Sequence, residues 1–203
     1  RNHGGDRRSC LKDSIGSLEI SSPSVVAVVA TGRSESILDG VAVSDPHVAL
    51  QSAAKELHPT ARSILYAGGE RYGCIHLDAN GAFRGLGTNS SCAAGSGSFL
   101  DQQARRLDLS GSDELGRLAA GCKVEPPTIA SRCSVFAKTD IIHAQQEGYP
   151  VEEICAGLCL GLARNIADIL FANRRPEAPI IFAGGVARNG AVTRCLEGIL
   201  GSD

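Results

Sequence analysis

An α/β fold is what this sequence predicts, and three stretches predict it. Ser24 to Ala30 is a short β-branched run closed by Thr31-Gly32-Arg33, the pattern of a buried strand ending in a turn. Ser63 to Ala67 and Cys74 to Asp78 read as two paired strands, joined across the turn-forming Gly68-Gly69-Glu70-Arg71-Tyr72-Gly73. Pro179 to Ala183 is an apolar run of the parallel-strand type, entering Gly184-Gly185 and then a helical pattern from Ala191 to Leu200. Strand, helix, β-meander and helix in this order make an α/β layer.

The remaining elements follow in chain order. Arg1 to Arg8 is a polar edge, expected to be disordered. Val48 to Leu57 has helical spacing, with Asp45 as N-cap and Pro46 at the first helical position. Asp78-Ala79-Asn80-Gly81 makes a hairpin turn into a strand at Ala82 to Arg84. Phe99, Leu100, Ala104 and Leu107 lie on one face of a helix reaching Leu109. A helix from Ser112 to Ala120 is capped by Ser112, with Asp113 and Glu114 in its first turn. Pro126-Pro127 interrupts, and a further helix runs through Phe136, Ile141 and Ile142 to Glu147. Val151 to Asn173 is a long amphipathic helix with Ile154, Leu158, Leu162, Ile166 and Ile169 on one face.

Composition narrows the function. The 203 residues carry a net charge of −2 with no Lys/Arg run, which argues against a nucleic-acid binder. No apolar stretch approaches a membrane span and no signal-peptide core opens the chain, so the expected compartment is the cytoplasm. There is no methionine, even at position 1, so a piece of a longer protein is expected. Without a secretion signal, the 8 cysteines point to reduced thiols and metal ligation ahead of disulfides.

Two of those cysteines stand apart. Ser91-Cys92-Ala93-Ala94-Gly95-Ser96-Gly97-Ser98-Phe99-Leu100-Asp101 puts Cys92 beside a turn of tiny residues at the start of a helix. Free N–H groups and the positive dipole end there favour an anionic sulfur, so Cys92 is a metal ligand, a reactive thiol, or only a small buried hydrophobe. Ile129-Ala130-Ser131-Arg132-Cys133-Ser134-Val135-Phe136-Ala137 repeats the device 41 residues later. Two thiolates are half the four-cysteine set of an iron–sulfur cluster or structural zinc, and a two-fold partner would supply the rest. Cys10, Cys74, Cys122 and Cys195 are isolated packing residues, and Cys155 and Cys159 share the apolar face of the long helix. His143 is a satisfied helix residue rather than a ligand. The glycine pairs Gly68-Gly69 and Gly184-Gly185 each follow a strand, where they serve close approach to phosphate or a plain tight turn.

These motifs, with Phe182-Ala183-Gly184-Gly185-Val186-Ala187-Arg188-Asn189, resemble the ATP-dependent activators of 2-hydroxyacyl-CoA dehydratases and the benzoyl-CoA reductase-type ATPases, across about Leu11 to Gly201. The resemblance implies an actin-like, sugar-kinase-like (ribonuclease H-like) fold, incomplete at both ends. Residues 1–87 plus 178–203 would form the nucleotide-binding lobe and 88–177 a helical lobe carrying the cysteines. Cys92 and Cys133 would be ligands of one [4Fe-4S] cluster shared by a homodimer. Gly68, Gly69, Gly95, Ser96, Gly97, Gly184, Gly185 and Asn189 would hold the cofactors, including ATP or ADP with Mg²⁺, and Glu70 would serve hydrolysis. The implied partners are a downstream dehydratase or reductase and a ferredoxin- or flavodoxin-type electron donor. Tyr66 and Ala67 depart from the family pattern, which shows Asp and an aliphatic residue there. The alternatives are a non-hydrolysing module of a larger activase, or an actin-like protein with structural zinc or no metal.

Overall fold

The computed structural model describes residues 6–17, 29–31, 41–89, 96–131 and 133–201. The chain divides into two compact units, Arg1–Ala53 and Ala54–Asp203. In the first, α1 (Arg7–Gly16) begins where a polar edge was expected. Asp6 is the reason: its carboxylate accepts the Ser9 N–H at 3.0 Å and caps the helix. β1 (Val29–Thr31) pairs in parallel with β2 (Ala42–Ser44), Val29 opposite Ala42. Only the end of the expected 24–30 strand lies within the described residues. α2 (Pro46–Leu57) starts as expected, with the Asp45 carboxylate accepting the N–H groups of His47 at 2.8 Å and Val48 at 3.3 Å.

The second unit is built on a four-stranded sheet of order β5-β4-β3-β6. β3 (Ser63–Ala67) and β4 (Tyr72–Leu77) form the expected antiparallel hairpin, with Ala67 opposite Tyr72 across the Gly68–Arg71 turn. β5 (Phe83–Thr88) pairs antiparallel with β4 and runs four residues beyond the expected Arg84. Gly85 and Gly87 look like loop residues, but they pair with His76 and Cys74 of β4; a Cβ on Gly85 would lie 3.7 Å from the Arg174 guanidinium and one on Gly87 3.9 Å from the Leu170 side chain. The turn between β4 and β5 is held by Asp78, whose carboxylate accepts from the N–H groups of Asn80 and Ala82. β6 (Ile180–Ala183) lies parallel to β3, Ser63 opposite Ile180.

Helices carry the rest of the core. α3 is Gly97–Arg106, α4 Ser112–Gly121, α5 Ser134–Gln146, α6 Val151–Leu170 and α7 Gly190–Leu200, the last preceded by a 3₁₀ turn at Gly185–Arg188. The N-cap of α4 is Gly111 rather than Ser112. The helix start is secured instead by Glu114, whose carboxylate accepts both the N–H and the hydroxyl of Ser110 at 2.7 Å. α6 is the central helix: Ile154, Leu158, Leu162 and Ile166 are buried as the periodicity requires, joined by Cys155 and Cys159. Ile169 leaves that face and is 44% exposed, close to the point where the helix ends. Among the described residues, no helix is long and apolar enough to cross a membrane.

Candidate functional site

The glycine pairs meet at one end of the sheet. β3 and β6 are parallel, so Gly68 after Ala67 and Gly184 after Ala183 leave at the same end, where open α/β sheets bind ligands. Gly184 has φ 95°, and a Cβ there would collide with the Ala67 carbonyl oxygen and lie 2.8 Å from its carbon. Only glycine permits this crossing of two backbones. α3 arrives at the same place. The N–H groups of Gly97 and Ser98 donate to the carbonyls of Gly68 and Gly69, both at 2.8 Å, and the Ser96 hydroxyl donates to Gly69 at 2.7 Å. A Cβ on Gly97 would come within 3.1 Å of the Gly68 carbonyl oxygen.

So Gly68, Gly69, Ser96, Gly97 and Gly184 converge, with Ser96 buried and the backbone of Gly69 and Gly184 forming an exposed patch. Gly185 follows with open space around it, and Glu70 is exposed at the tip of the hairpin. That patch can receive an anion, because uncovered backbone lets phosphate oxygens approach closely. Asn189 lies deeper. It is the N-cap of α7, its carboxamide oxygen accepting the N–H groups of Ala191 at 3.1 Å and Val192 at 3.2 Å. Its side chain packs on Gly116 of α4, where a Cβ would sit 2.8 Å from the Asn189 nitrogen. Tyr66 stands opposite Gly73, and its ring and hydroxyl fill the space a Gly73 side chain would need.

The second candidate group centres on Cys133. It is the N-cap of α5 in extended conformation, partly exposed. Its thiol makes no cap hydrogen bond of full geometry, yet the nearby N–H groups of Phe136 and then Val135 favour the anionic form and lower its pKa. This is the chemistry of a thiolate ligand. Cys92 and Gly95 lie outside the described residues. Among the described residues, no three His, Cys, Asp or Glu side chains are placed to hold a metal together. Beside Cys133 is a cavity of about 420 Å³, lined by Ile129, Phe136, Gly161, Arg164 and Asp168 among others. Val135 and Phe136, adjoining the thiol, are each 66% exposed.

The buried cysteines contrast with it. Burial pushes Cys74 from 9.0 up to about 12, and Cys155 likewise to about 12, with Glu152 and Glu114 adding to the second. Cys159 is raised further by its burial. Under native conditions iodoacetamide should therefore alkylate Cys133 at least about a hundredfold faster than Cys74 or Cys155, since thiolate fraction and access both favour it. Peptide mass spectrometry over time checks this ordering, and equal rates would contradict it.

Sequence reasoning missed the residues that place Cys133. The Pro127–Ser131 segment lies against α6 at Gly157 and Gly161. A Cβ on Gly157 would collide with the Pro127 carbonyl oxygen, and one on Gly161 would come within 2.5 Å of that of Ile129. The Ser131 hydroxyl donates to the Gly161 carbonyl at 2.6 Å, and the Asp140 carboxylate accepts the Ala130 N–H at 2.8 Å. Two glycines four apart inside a long helix were the available signal, because each weakens a helix by about 1 kcal/mol unless packing requires it.

Comparison with known proteins gives one consistent result. The family model described as the BadF/BadG/BcrA/BcrD ATPase family matches residues 20–202. The activator of lactoyl-CoA dehydratase from Anaerotignum propionicum is 34% identical over 147 residues, which are 72% of this chain and 56% of that protein. The chain thus spans about half the length of the curated relatives it matches. Among solved structures, the activator of the 2-hydroxyisocaproyl-CoA dehydratase from Clostridium difficile with bound ADPNP superposes with TM-score 0.86 at 25% identity, covering 100% of this chain and 74% of that one. Component A of the (R)-2-hydroxyglutaryl-CoA dehydratase from Acidaminococcus fermentans gives 0.86 at 28% identity, over 98% and 78%.

Proposed function

Because this chain belongs to the BadF/BadG/BcrA/BcrD ATPase family and has an actin-like ATPase fold, we propose that it is the core of an ATP-dependent reductive activator. Its role is to deliver a low-potential electron to a 2-hydroxyacyl-CoA dehydratase or a related CoA-ester reductase, fed by a ferredoxin- or flavodoxin-type donor in the cytoplasm. The relatives named as dehydratase activators support the partner class. Residues 1–87 plus 178–203 act as the nucleotide lobe and 88–177 as the helical one. Gly68, Gly69, Ser96, Gly97, Gly184 and Gly185 form the backbone cradle for ATP or ADP with Mg²⁺. Asn189 fixes the α7 start behind it, and Glu70 orients water at the hairpin tip. Support for the cradle is its geometry: Gly184 and Gly97 lie too close to the Ala67 and Gly68 backbone to carry a side chain comfortably, with Gly69 and Gly185 open beside them.

One observation carries the metal reading: Cys133 is a partly exposed N-cap with a lowered pKa, bordered by exposed Val135 and Phe136. A thiol so disposed to ionise, among uncovered apolar side chains, suits a site completed by a second copy. Cys92 and Cys133 from each of two copies would hold one [4Fe-4S] cluster, which supplies one-electron chemistry at low potential. The N–H groups at the first turn of α5 stabilise negative charge on the sulfur.

Anaerobic iron and sulfide analysis of the full-length protein tests this, with Cys92→Ser and Cys133→Ser beside wild type and dimer mass followed in parallel. About two irons per chain are expected, lost in either variant. No iron in wild type after anaerobic reconstitution would sink the electron-transfer reading and leave structural zinc or no metal. Tyr66 favours a second reading, a module that binds nucleotide without hydrolysing it, since its ring lies across Gly73 where an acidic side chain would orient Mg²⁺ or water. Phosphate release by the full-length protein separates the two.

A further inference from the structure

Helix α3 is fastened at both ends to the two candidate groups. At its start, Ser96, Gly97 and Ser98 donate to the carbonyls of the Gly68–Gly69 turn. At its end, the Arg106 guanidinium donates to the Ser134 carbonyl at 2.6 Å, in the first turn of α5 and one residue beyond Cys133. The same guanidinium nitrogen donates to the Gln103 side-chain oxygen at 2.8 Å, and Gln103 is fully buried. The guanidinium is thereby pinned to α3 rather than free to follow α5. Ten helical residues make a rod about 15 Å long, stiff along its axis. A cation beside the start of α5 opposes that helix's dipole by about 0.3–1 kcal/mol, so stability of α5 does not explain the contact. What it does is tie the backbone next to Cys133 to the hairpin at the other end of α3.

We infer that Arg106 is a positioning residue through which α3 transmits the state of the Gly68–Gly69 turn to the Cys133 end of α5. This rests on the proposed nucleotide cradle. When the occupant of the cradle shifts the hairpin, α3 moves with it, and Arg106 carries that movement to the Cys133–Ser134 peptide.

The test compares the full-length protein, metal-free and anaerobic, with MgADP and with a non-hydrolysable ATP analogue. Nucleotide binding is measured by titration calorimetry, and the Cys133 alkylation rate by mass spectrometry at one fixed pH. Wild type and Arg105→Ala, an exposed neighbour on α3, should each show a rate ratio of about fivefold or more between the two nucleotides, the low end for coupled sites. Arg106→Ala should bind both nucleotides as wild type does, with the ratio reduced to near one. A purely structural role would change the rate with both nucleotides alike and leave the ratio intact. Should Arg106→Ala fail to fold, Arg106→Met takes its place, keeping the aliphatic stem but offering no N–H to Gln103 or Ser134; a reduced ratio supports the inference. An undiminished ratio in either folded variant, or no ratio in a wild type that binds nucleotide, overturns it and leaves the functional reading standing. No nucleotide binding by wild type overturns both.

Discussion

Gly184→Ala should lower stability by about 1–4.5 kcal/mol and abolish nucleotide binding in the full-length protein. Alanine at φ 95° adopts a left-handed-side conformation that costs roughly 1–2 kcal/mol. Its methyl would also meet the Ala67 carbonyl, which is backbone of the central strand and cannot swing aside, adding an overpacking cost of about 1–3 kcal/mol. Loss of chain entropy in the unfolded state returns only about 0.4–1 kcal/mol, so the sign is settled by the clash. Gly185→Ala is the control, with nothing within 4 Å of its added Cβ and no positive φ. Urea unfolding of the pair measures the difference. A Gly184→Ala protein within about 0.5 kcal/mol of wild type would show that the chain leaving β6 at Gly184 does not approach Ala67 as closely as described.

The elements legible in the sequence are those whose chemistry is local. α2 is announced by Asp45 and Pro46, the β3–β4 hairpin by two β-branched or aromatic runs around a Gly-Gly turn, and the β6–α7 unit by an apolar run entering glycines. The elements that escaped depend on distant partners. β2 is three residues long and exists by pairing with β1, and β5 continues through Gly85 and Gly87 because they pair with His76 and Cys74 of β4. α1 has charged residues throughout, and its one clear signal, the Asp6 cap, was hidden among them. The site divides the same way. Cys133 was legible as a helix-start thiol, whereas Arg106 reads as one more basic residue at a helix end until Ser134 is seen beside it. The Cys92 segment lies outside the described residues, so its helix-start role stays an expectation.

Gly157→Ala and Gly161→Ala together should destabilise the protein by up to about 4 kcal/mol and change the environment of Cys133, although alanine is the better helix former. Propensity alone would add about 1 kcal/mol of stability at each position. Against that, each new methyl meets backbone, the Pro127 carbonyl at position 157 and the Ile129 carbonyl at position 161. Overpacking of this kind costs about 1–3 kcal/mol per site. It also pushes away the segment that Ser131 ties to Gly161 and Asp140 ties to α5. The two Ala130–Ser131 tethers then pull against a displaced chain, and Cys133 loses the position that holds its thiol beside the Val135 and Phe136 N–H groups of the first turn of α5. Thermal unfolding and the Cys133 alkylation rate are the two readouts. If the double variant gained stability, helix propensity would have outweighed the contacts and the Pro127–Ile129 segment would be free to retreat. If it lost stability while Cys133 kept its reactivity, the glycines would serve packing alone. A joint loss is expected, because the residues that dock this segment on α6 are the same ones that deliver Cys133 to the end of its helix.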